Sequence, residues 1–209
     1  MSDELILYSN PMSRGRIARW MLEEVGQPYR VEYIDYGPAM KSSEFRAINP
    51  MGKVPVMKYG DAIVSEAAAI CAYLADAFSA AGLAPAPGSQ ARADYYRWLF
   101  FAAGPLEAAV TAKALDALAP PDKQVMAGYG SFDTMVDALE AAVIGKTYIA
   151  GDRFSAADVY VGAQIGWGLQ FKSLPDRPSF QKYWAGLAAR PAHKRAAELD
   201  DAAVPPRPA

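Results

Sequence analysis

Strand-forming segments are confined to the first third of this chain, and nothing later in its 209 residues reads as a strand. "ELILY" (4–8) is short and apolar. "SRGRIARWMLEEV" (13–25) places Ile17, Trp20, Met21 and Val25 at helical spacing. "YRVEYI" (29–34) alternates as a half-buried strand should, and a loop segment follows it. "VPVMKY" (54–59) and "AIV" flank Gly60-Asp61, the pattern of two strands around a tight turn. "EAAAICAYLADAF" (66–78) reads as a helix with Ile70, Tyr73, Leu74 and Ala77 on one face. A parallel βαβ unit followed by an antiparallel hairpin and a helix predicts a small four-stranded mixed sheet with helices on its faces.

Residues 79–90, "SAAGLAPAPGSQ", have the composition of a linker. Beyond it the periodicity is helical only. "ARADYYRWLFFAAGPLEAAVTAKAL" predicts one long helix kinked at Gly104-Pro105, where the proline ring clashes with the preceding turn. "KQVMAGYGSFDTMVDALEAAVIG" predicts a second, loosened helix. "SAADVYVGAQIGWGLQF" is apolar nearly all round and therefore predicts a buried third helix. "SFQKYWAGLAAR" and "AHKRAAEL" follow, then the tail "DDAAVPPRPA", expected to fray. The expected organisation is an α/β domain over 1–78, a linker over 79–90 and an all-helical domain over 91–209.

The start of the buried helix is marked by Ser155 and Asp158. They have the reciprocal spacing of a capping box, with Asp in place of the usual Glu, and Phe154 and Val159 sit where a hydrophobic staple would close. That spacing accounts for Asp158 as a structural cap without a catalytic role.

Composition narrows the function classes. Net charge is −2, which gives no support to a nucleic-acid partner, and no apolar run reaches the length of a membrane span. The first residues, "MSDELILYSN", are acidic and lack the basic start of a signal peptide. A single cysteine, Cys71, excludes an intramolecular disulfide, and a single histidine, His193, leaves no basis for a metal site and makes a Ser-His-Asp triad improbable. The expected compartment is the reducing cytoplasm.

The stretch "NPMGKVPV" (49–56) is the least ordinary part of the first domain. Proline donates no ladder hydrogen bond and belongs at strand starts, edges or bulges. Pro55 therefore marks either a simple entry into an edge strand or backbone left unpaired for a ligand.

In this order and at these distances, "NPMGKVPV", "SEAAAICAYL", "YIAGDRFSAADVYVGA" and the closing "RPAHKRA" resemble the cytosolic glutathione transferases, bacterial type, over nearly the whole chain. The resemblance implies a thioredoxin-like half that binds glutathione and a helical half that forms the acceptor pocket. It implies a cis Val54-Pro55 bond, with the amide and carbonyl of Val54 paired to the cysteinyl unit of glutathione by strand addition. It implies that Glu66 meets the γ-glutamyl ammonium, while the helix start at Glu66-Ala67 takes the γ-glutamyl carboxylate. The family pattern has a serine where this chain has Ala67, so that carboxylate would rely on backbone amides or on Ser65. Lys53, and less strongly Lys41, are candidates for the glycyl carboxylate. A homodimer and a detoxifying role in the cytoplasm are implied by the resemblance alone.

The chemistry it implies is activation of the cosubstrate's thiol, with no metal and no enzyme cysteine. Cys71 reads as inert core. Family members carry Tyr, Ser or Cys between the first strand and first helix, here "LYSNPMSRGR". Tyr8 and Ser13 are the two candidates, and Ser13 is favoured because a hydroxyl at a helix start adds the dipole to the hydrogen bond. A plain helix cap for Ser13 and a strand aromatic for Tyr8 are the structural alternatives. Arg16 is a supporting candidate. Met12, Tyr96, Phe101, Trp167 and Phe171 are candidate walls for a hydrophobic electrophile. Two function classes stay open: an enzyme, by transfer to electrophiles or by reduction of peroxides or disulfides, and a non-catalytic binder or interaction protein on the same fold.

Overall fold

The computed structural model describes residues 4–205. The chain divides into two compact units. The first takes the chain up to Gly82 and again from Ala189; the second is Leu83–Ala188.

In the first unit β1 (Leu5–Ser9), α1 (Gly15–Val25) and β2 (Arg30–Tyr33) form the parallel crossover. The segment expected to be loop contains a short helix, α2 (Ser43–Ile48), whose start is capped by Ser42 Oγ accepting from Phe45 N at 3.1 Å. Six residues that bury only Phe45 are too few to display a helical period. β3 (Val56–Tyr59) and β4 (Ala62–Ser65) pair around Gly60-Asp61, and α3 (Ala67–Ala77) follows. The sheet is four-stranded and mixed, as the pattern predicts, with order β2-β1-β3-β4, β1 parallel to β2 and the other neighbours antiparallel. Ile70, Cys71 and Leu74 of α3 are buried, whereas Ala77, expected on that face, is exposed. Burial pushes the Cys71 thiol far above its ordinary value, consistent with inert core.

The second unit holds five helices: α4 (Gln90–Phe101), α5 (Glu107–Ala114), α6 (Phe132–Val143), α7 (Ala156–Gln170) and α8 (Pro178–Ala188). α4 runs into α5 through a π turn over Ala102–Leu106 that contains Pro105. The wider turn absorbs the residue whose ring and missing N–H an α-helix cannot accommodate. The helix expected from Lys123 onward begins only at Phe132, where Ser131 Oγ accepts from Thr134 N at 3.0 Å; the residues before it form a 3₁₀ turn over Pro121–Met126. α7 is buried along most of its length, and its capping box is formed. The Asp158 carboxylate accepts from Ser155 N (2.9 Å), Ser155 Oγ (3.1 Å), Ile149 N (2.8 Å) and Tyr183 Oη (2.7 Å).

The last helix, α9 (Pro191–Ala202), belongs with the first unit and packs along α1. Three ion pairs join them: Arg16–Asp201 at 2.5 Å, Arg19–Asp200 at 2.9 Å and Glu24–Arg190 at 2.6 Å. The tail expected to fray from Asp200 is therefore helical to Ala202, because Asp200 is fully buried against Arg19. The last four residues of that tail, 206–209, lie outside the described residues.

Candidate active site

Glu32, Tyr8, Val56 and Ser65 stand in one register row across the four strands. β4 ends and β3 begins at this row, and β1 ends one residue beyond it. The β1–α1 turn, the residues leading into β3 and the β4–α3 turn therefore all meet one end of the sheet. Neighbouring strands lie about 4.8 Å apart, so the three segments share a strip about 10 Å wide.

Two of these segments are built from the same tripeptide. In Asn10-Pro11-Met12, Asn10 Oδ1 accepts from Met12 N (2.9 Å), Asn10 O accepts from Ser13 N (3.0 Å), and Asn10 Nδ2 donates to Ile34 O (3.1 Å). In Asn49-Pro50-Met51, Asn49 Oδ1 accepts from Met51 N (3.2 Å), Asn49 O from Gly52 N (2.8 Å), and Asn49 Nδ2 donates to Lys53 O (2.8 Å). Each is an Asx turn closed over a β-turn, which asparagine followed by proline favours. A cation fastens each turn. Arg16 Nε donates to Pro11 O (2.6 Å), and Lys41 Nζ donates to Met51 O (3.1 Å) and Gly52 O (2.7 Å). Both asparagines are buried, and the repeated "NPM" was the available sequence signal for them.

The first turn sets Ser13. Its hydroxyl donates to Asn10 O (2.7 Å) and accepts from Gly15 N (2.9 Å). The helix itself begins at Gly15, two residues into the expected segment, with Arg14 at its cap, so Ser13 lies just outside it. A Cβ at Gly15 would run into Ser9 Oγ and stand 3.1 Å from Ser9 Cβ, so glycine lets α1 start this close to the end of β1 without displacing the buried Ser9 side chain. The Tyr8 ring lies 6.1 Å from that of Phe45 and packs, with Ile34, Ile48 and Val54, on a cluster of Met40, Phe45 and Val56.

The second turn sets Val54. The Val54-Pro55 bond is cis, as the resemblance implies. Val54 precedes β3, and neither its amide nor its carbonyl has a backbone partner among the described residues. Gly52 has φ 56°, and a Cβ there would meet Met40 O at 2.6 Å. Lys41 spends two of its donors on this loop, while the Lys53 side chain is exposed and makes no bond among the described residues.

The third segment is Ser65-Glu66-Ala67. Glu66 has φ 67° and ψ 115° and caps α3 without a side-chain hydrogen bond. A non-glycine residue held there costs about 1–3 kcal/mol, and such strain gathers at functional positions. The first helical bond of α3 is Ile70 N to Glu66 O (2.9 Å), so the amides of Ala67, Ala68 and Ala69 have no acceptor among the described residues.

The candidate wall residues differ in environment. Met12, on the first turn, is 67% exposed. In the second unit Tyr96 is exposed beneath the Arg92 guanidinium, 4.9 Å from its ring, and Phe101 stacks edge-on to Trp98 at 5.3 Å. Trp167 is half-buried on α7, and Phe171, just past it, is 69% exposed. No helix among the described residues is long and apolar enough to cross a membrane.

Comparison with known proteins gives a consistent picture. Residues 12–77 match the family model "Glutathione S-transferase, N-terminal domain", and residues 101–191 match "Glutathione S-transferase, C-terminal domain". The chain is 28% identical over 205 residues to glutathione S-transferase 3 of Zea mays, covering 91% of this chain and 92% of that one. Among solved structures it is similar to a glutathione transferase of Methylococcus capsulatus, with TM-score 0.78, 26% identity, and 95% and 99% of the two chains covered. It is likewise similar to a sphingomonad glutathione S-transferase complexed with glutathione, with TM-score 0.75, 27% identity, and 94% and 98% covered.

Proposed function

The chain belongs to the glutathione S-transferase family, and on that premise we propose that it activates the thiol of glutathione for attack on small hydrophobic electrophiles. One observation carries the reading. Unpaired Val54 backbone, the three free amides behind strained Glu66 and the Ser13 hydroxyl all gather at one end of one sheet. An extended tripeptide of one thiol and two carboxylates matches that set. Val54 would pair with the cysteinyl backbone, Glu66 with the γ-glutamyl ammonium, and the α3 amides, helped by Ser65, with the γ-glutamyl carboxylate. Lys53 remains free to meet the glycyl carboxylate, whereas Lys41 serves better as the clamp that holds Val54 in place.

The Ser13 hydroxyl can turn to donate a hydrogen bond to a thiolate at little cost, the thiol's own proton leaving to water. Swinging the hydroxyl away from Asn10 O leaves that carbonyl still bonded to Ser13 N. Gly15 N continues to donate to Ser13 Oγ, which polarises the hydroxyl as a donor. A free thiol has a pKa of about 8.5, and lowering it by about two units takes roughly 2.7 kcal/mol. One charge-assisted bond of ~1.5–3 kcal/mol, with ~0.3–1 kcal/mol from the start of α1, is sufficient. The thiolate then forms a carbon–sulfur bond as the electrophile's leaving group departs with its electron pair. Met12, Tyr96, Phe101, Trp167 and Phe171 are the side chains proposed to contact that electrophile. The protein is proposed to act as a homodimer in the cytoplasm, which sedimentation and fractionation would check.

The test is an ultraviolet titration of bound thiolate. Ser13→Ala should raise the bound thiol's pKa by roughly one to two units, and Tyr8→Phe should leave it in place. A rise in Tyr8→Phe alone would transfer the role to Tyr8. No rise in either would point to backbone amides or Asn10 as the donor, or to a protein that binds glutathione without activating it.

A further inference from the structure

We propose that Arg16 is a positioning residue that ties the Ser13 turn to the last helix, so that α9, which brings no group to the chemistry, holds the hydroxyl in place. The proposal rests on the assignment of Ser13 above. The guanidinium spans two elements at once. Its Nε donates to Pro11 O at 2.6 Å, and one terminal nitrogen meets Asp201 Oδ1 at 2.5 Å. Pro11 O is the carbonyl of the peptide that carries Met12 N, and Met12 N is the amide held by Asn10 Oδ1. Fixing one face of that peptide through Arg16 and the other through Asn10 leaves it no freedom to flip, and Ser13 follows directly. The backbone of Arg16 adds a third link, its amide donating to Ser13 O at 3.2 Å.

Asp201 would be an ordinary surface residue were it not for this bond, since its side chain is 69% exposed. Its helix is held in register by the buried neighbour pair Arg19–Asp200 and by Glu24–Arg190 at the far end of α1. The Arg16–Asp201 link is therefore not needed to dock α9, and its remaining consequence is the direction in which Arg16 points. The second turn shows the same device in simpler form, with Lys41 on two carbonyls and no acidic partner among the described residues. A lysine suffices for carbonyls alone. A planar fork is required where a carbonyl and a distant carboxylate must be held together.

The experiment separates the tie from the chemistry. Hydrogen exchange would be followed in peptides covering 10–16 and 49–55 of the full chain, in wild type, Arg16→Met, Arg16→Lys and Asp201→Asn. The bound thiol would be titrated in the same proteins and in Ser13→Ala. We expect uptake over 10–16 to rise several-fold in both Arg16 variants and less in Asp201→Asn, with 49–55 unchanged. The thiol pKa should rise in the same order, by roughly one unit in the Arg16 variants, while the melting temperature of Asp201→Asn stays within a degree or two. Unchanged uptake over 10–16 overturns the proposal. So does a wild-type thiol pKa in Arg16→Lys, which would mean that Arg16 acts by charge and not by its fork. So does raised uptake with an unmoved thiol pKa when Ser13→Ala does move it. Raised uptake with no thiol shift in any variant, Ser13→Ala included, supports the tie and instead removes Ser13 as the thiol's donor.

Discussion

Two helices of this protein start on nearly the same residues, a serine, two alanines and an acid, and only one start is sealed. At α7 the order is Ser155-Ala156-Ala157-Asp158, and the acid folds back on the serine. Ala156 N is taken by Leu83 O at 2.8 Å. At α3 the order is Ser65-Glu66-Ala67-Ala68, and the acid stands at the cap itself, in left-handed backbone, with its side chain bonded to nothing in the helix. Moving the acid by two positions converts a closed helix start into an open one. The second unit uses its acid for stability, and the first gives up stability to leave amides free.

The largest effect should come from breaking the sealed start. Asp158→Ala strands three buried donors, Ile149 N, Ser155 N and Tyr183 Oη, at ~1–3 kcal/mol each, so a loss on the order of 4 kcal/mol is expected. Denaturant unfolding would show it, and turnover per folded molecule should be preserved. A variant that keeps its stability and loses turnover would place Asp158 in the chemistry instead.

The first unit has a buried carboxylate as well, and it is balanced differently. Burial pushes Asp200 from the ordinary carboxylate value of 3.8 up to about 6, against the pull of Arg19 and Arg16. Between those values the folded protein keeps a proton that the unfolded chain has released, so this group's contribution to stability falls as pH rises from about 4 to about 6. The rise corresponds to at most about 3 kcal/mol. Urea midpoints across that range should show Asp200→Asn with a flatter profile than wild type. Parallel profiles would mean that Asp200 carries its charge throughout.

These two carboxylates also show why one unit was easier to read than the other. Asp158 was legible because its cap partner is three residues away, although its bonds to Ile149 and Tyr183 were not. The docking of α9 was not legible, because Arg16 and Asp201 are 185 residues apart and neither end carries a local signal. The strands, the parallel crossover and the hairpin could be read, since alternation and the Gly60-Asp61 turn are local properties, whereas the pairing of β1 with β3 joins distant segments and α2 was too short to show a period. At the candidate site, Pro55 stands out as a residue type in an unusual place, while Glu66 and Ser13 are singled out through the family resemblance. What holds them, the two asparagine turns and the cations on their carbonyls, follows from side chain–backbone bonds that cross from one segment to another.

Glu66→Gly tests whether the open start stores strain. Glycine adopts φ 67° freely, and relief of ~1–3 kcal/mol less the entropy cost of glycine, ~0.5–1 kcal/mol, predicts a gain of about 1 kcal/mol in stability. Glutathione affinity should fall roughly 10- to 100-fold with loss of a charged partner. A variant that loses both stability and affinity would show that Glu66 is an ordinary cap whose backbone happens to be unusual.

The smallest effect should come from Ala67→Ser. Ala67 is the first residue of α3, and its amide is one of the three without an acceptor. A hydroxyl there would stand beside the carboxylate that those amides are proposed to hold. A hydrogen bond to a charged group is worth ~1.5–3 kcal/mol when removed from a finished site, but adding one to a site that already has donors yields less. Ala67 is 6% exposed, so the new hydroxyl must order itself in a confined space. A three- to tenfold tighter glutathione dissociation constant is therefore expected, roughly 0.7–1.4 kcal/mol, with the melting temperature unmoved. Calorimetric titration would read it directly. If the affinity is unchanged, the amides of α3 already saturate the carboxylate. If it weakens, the hydroxyl has turned back to cap its own helix, and the open start has been closed in the manner of α7.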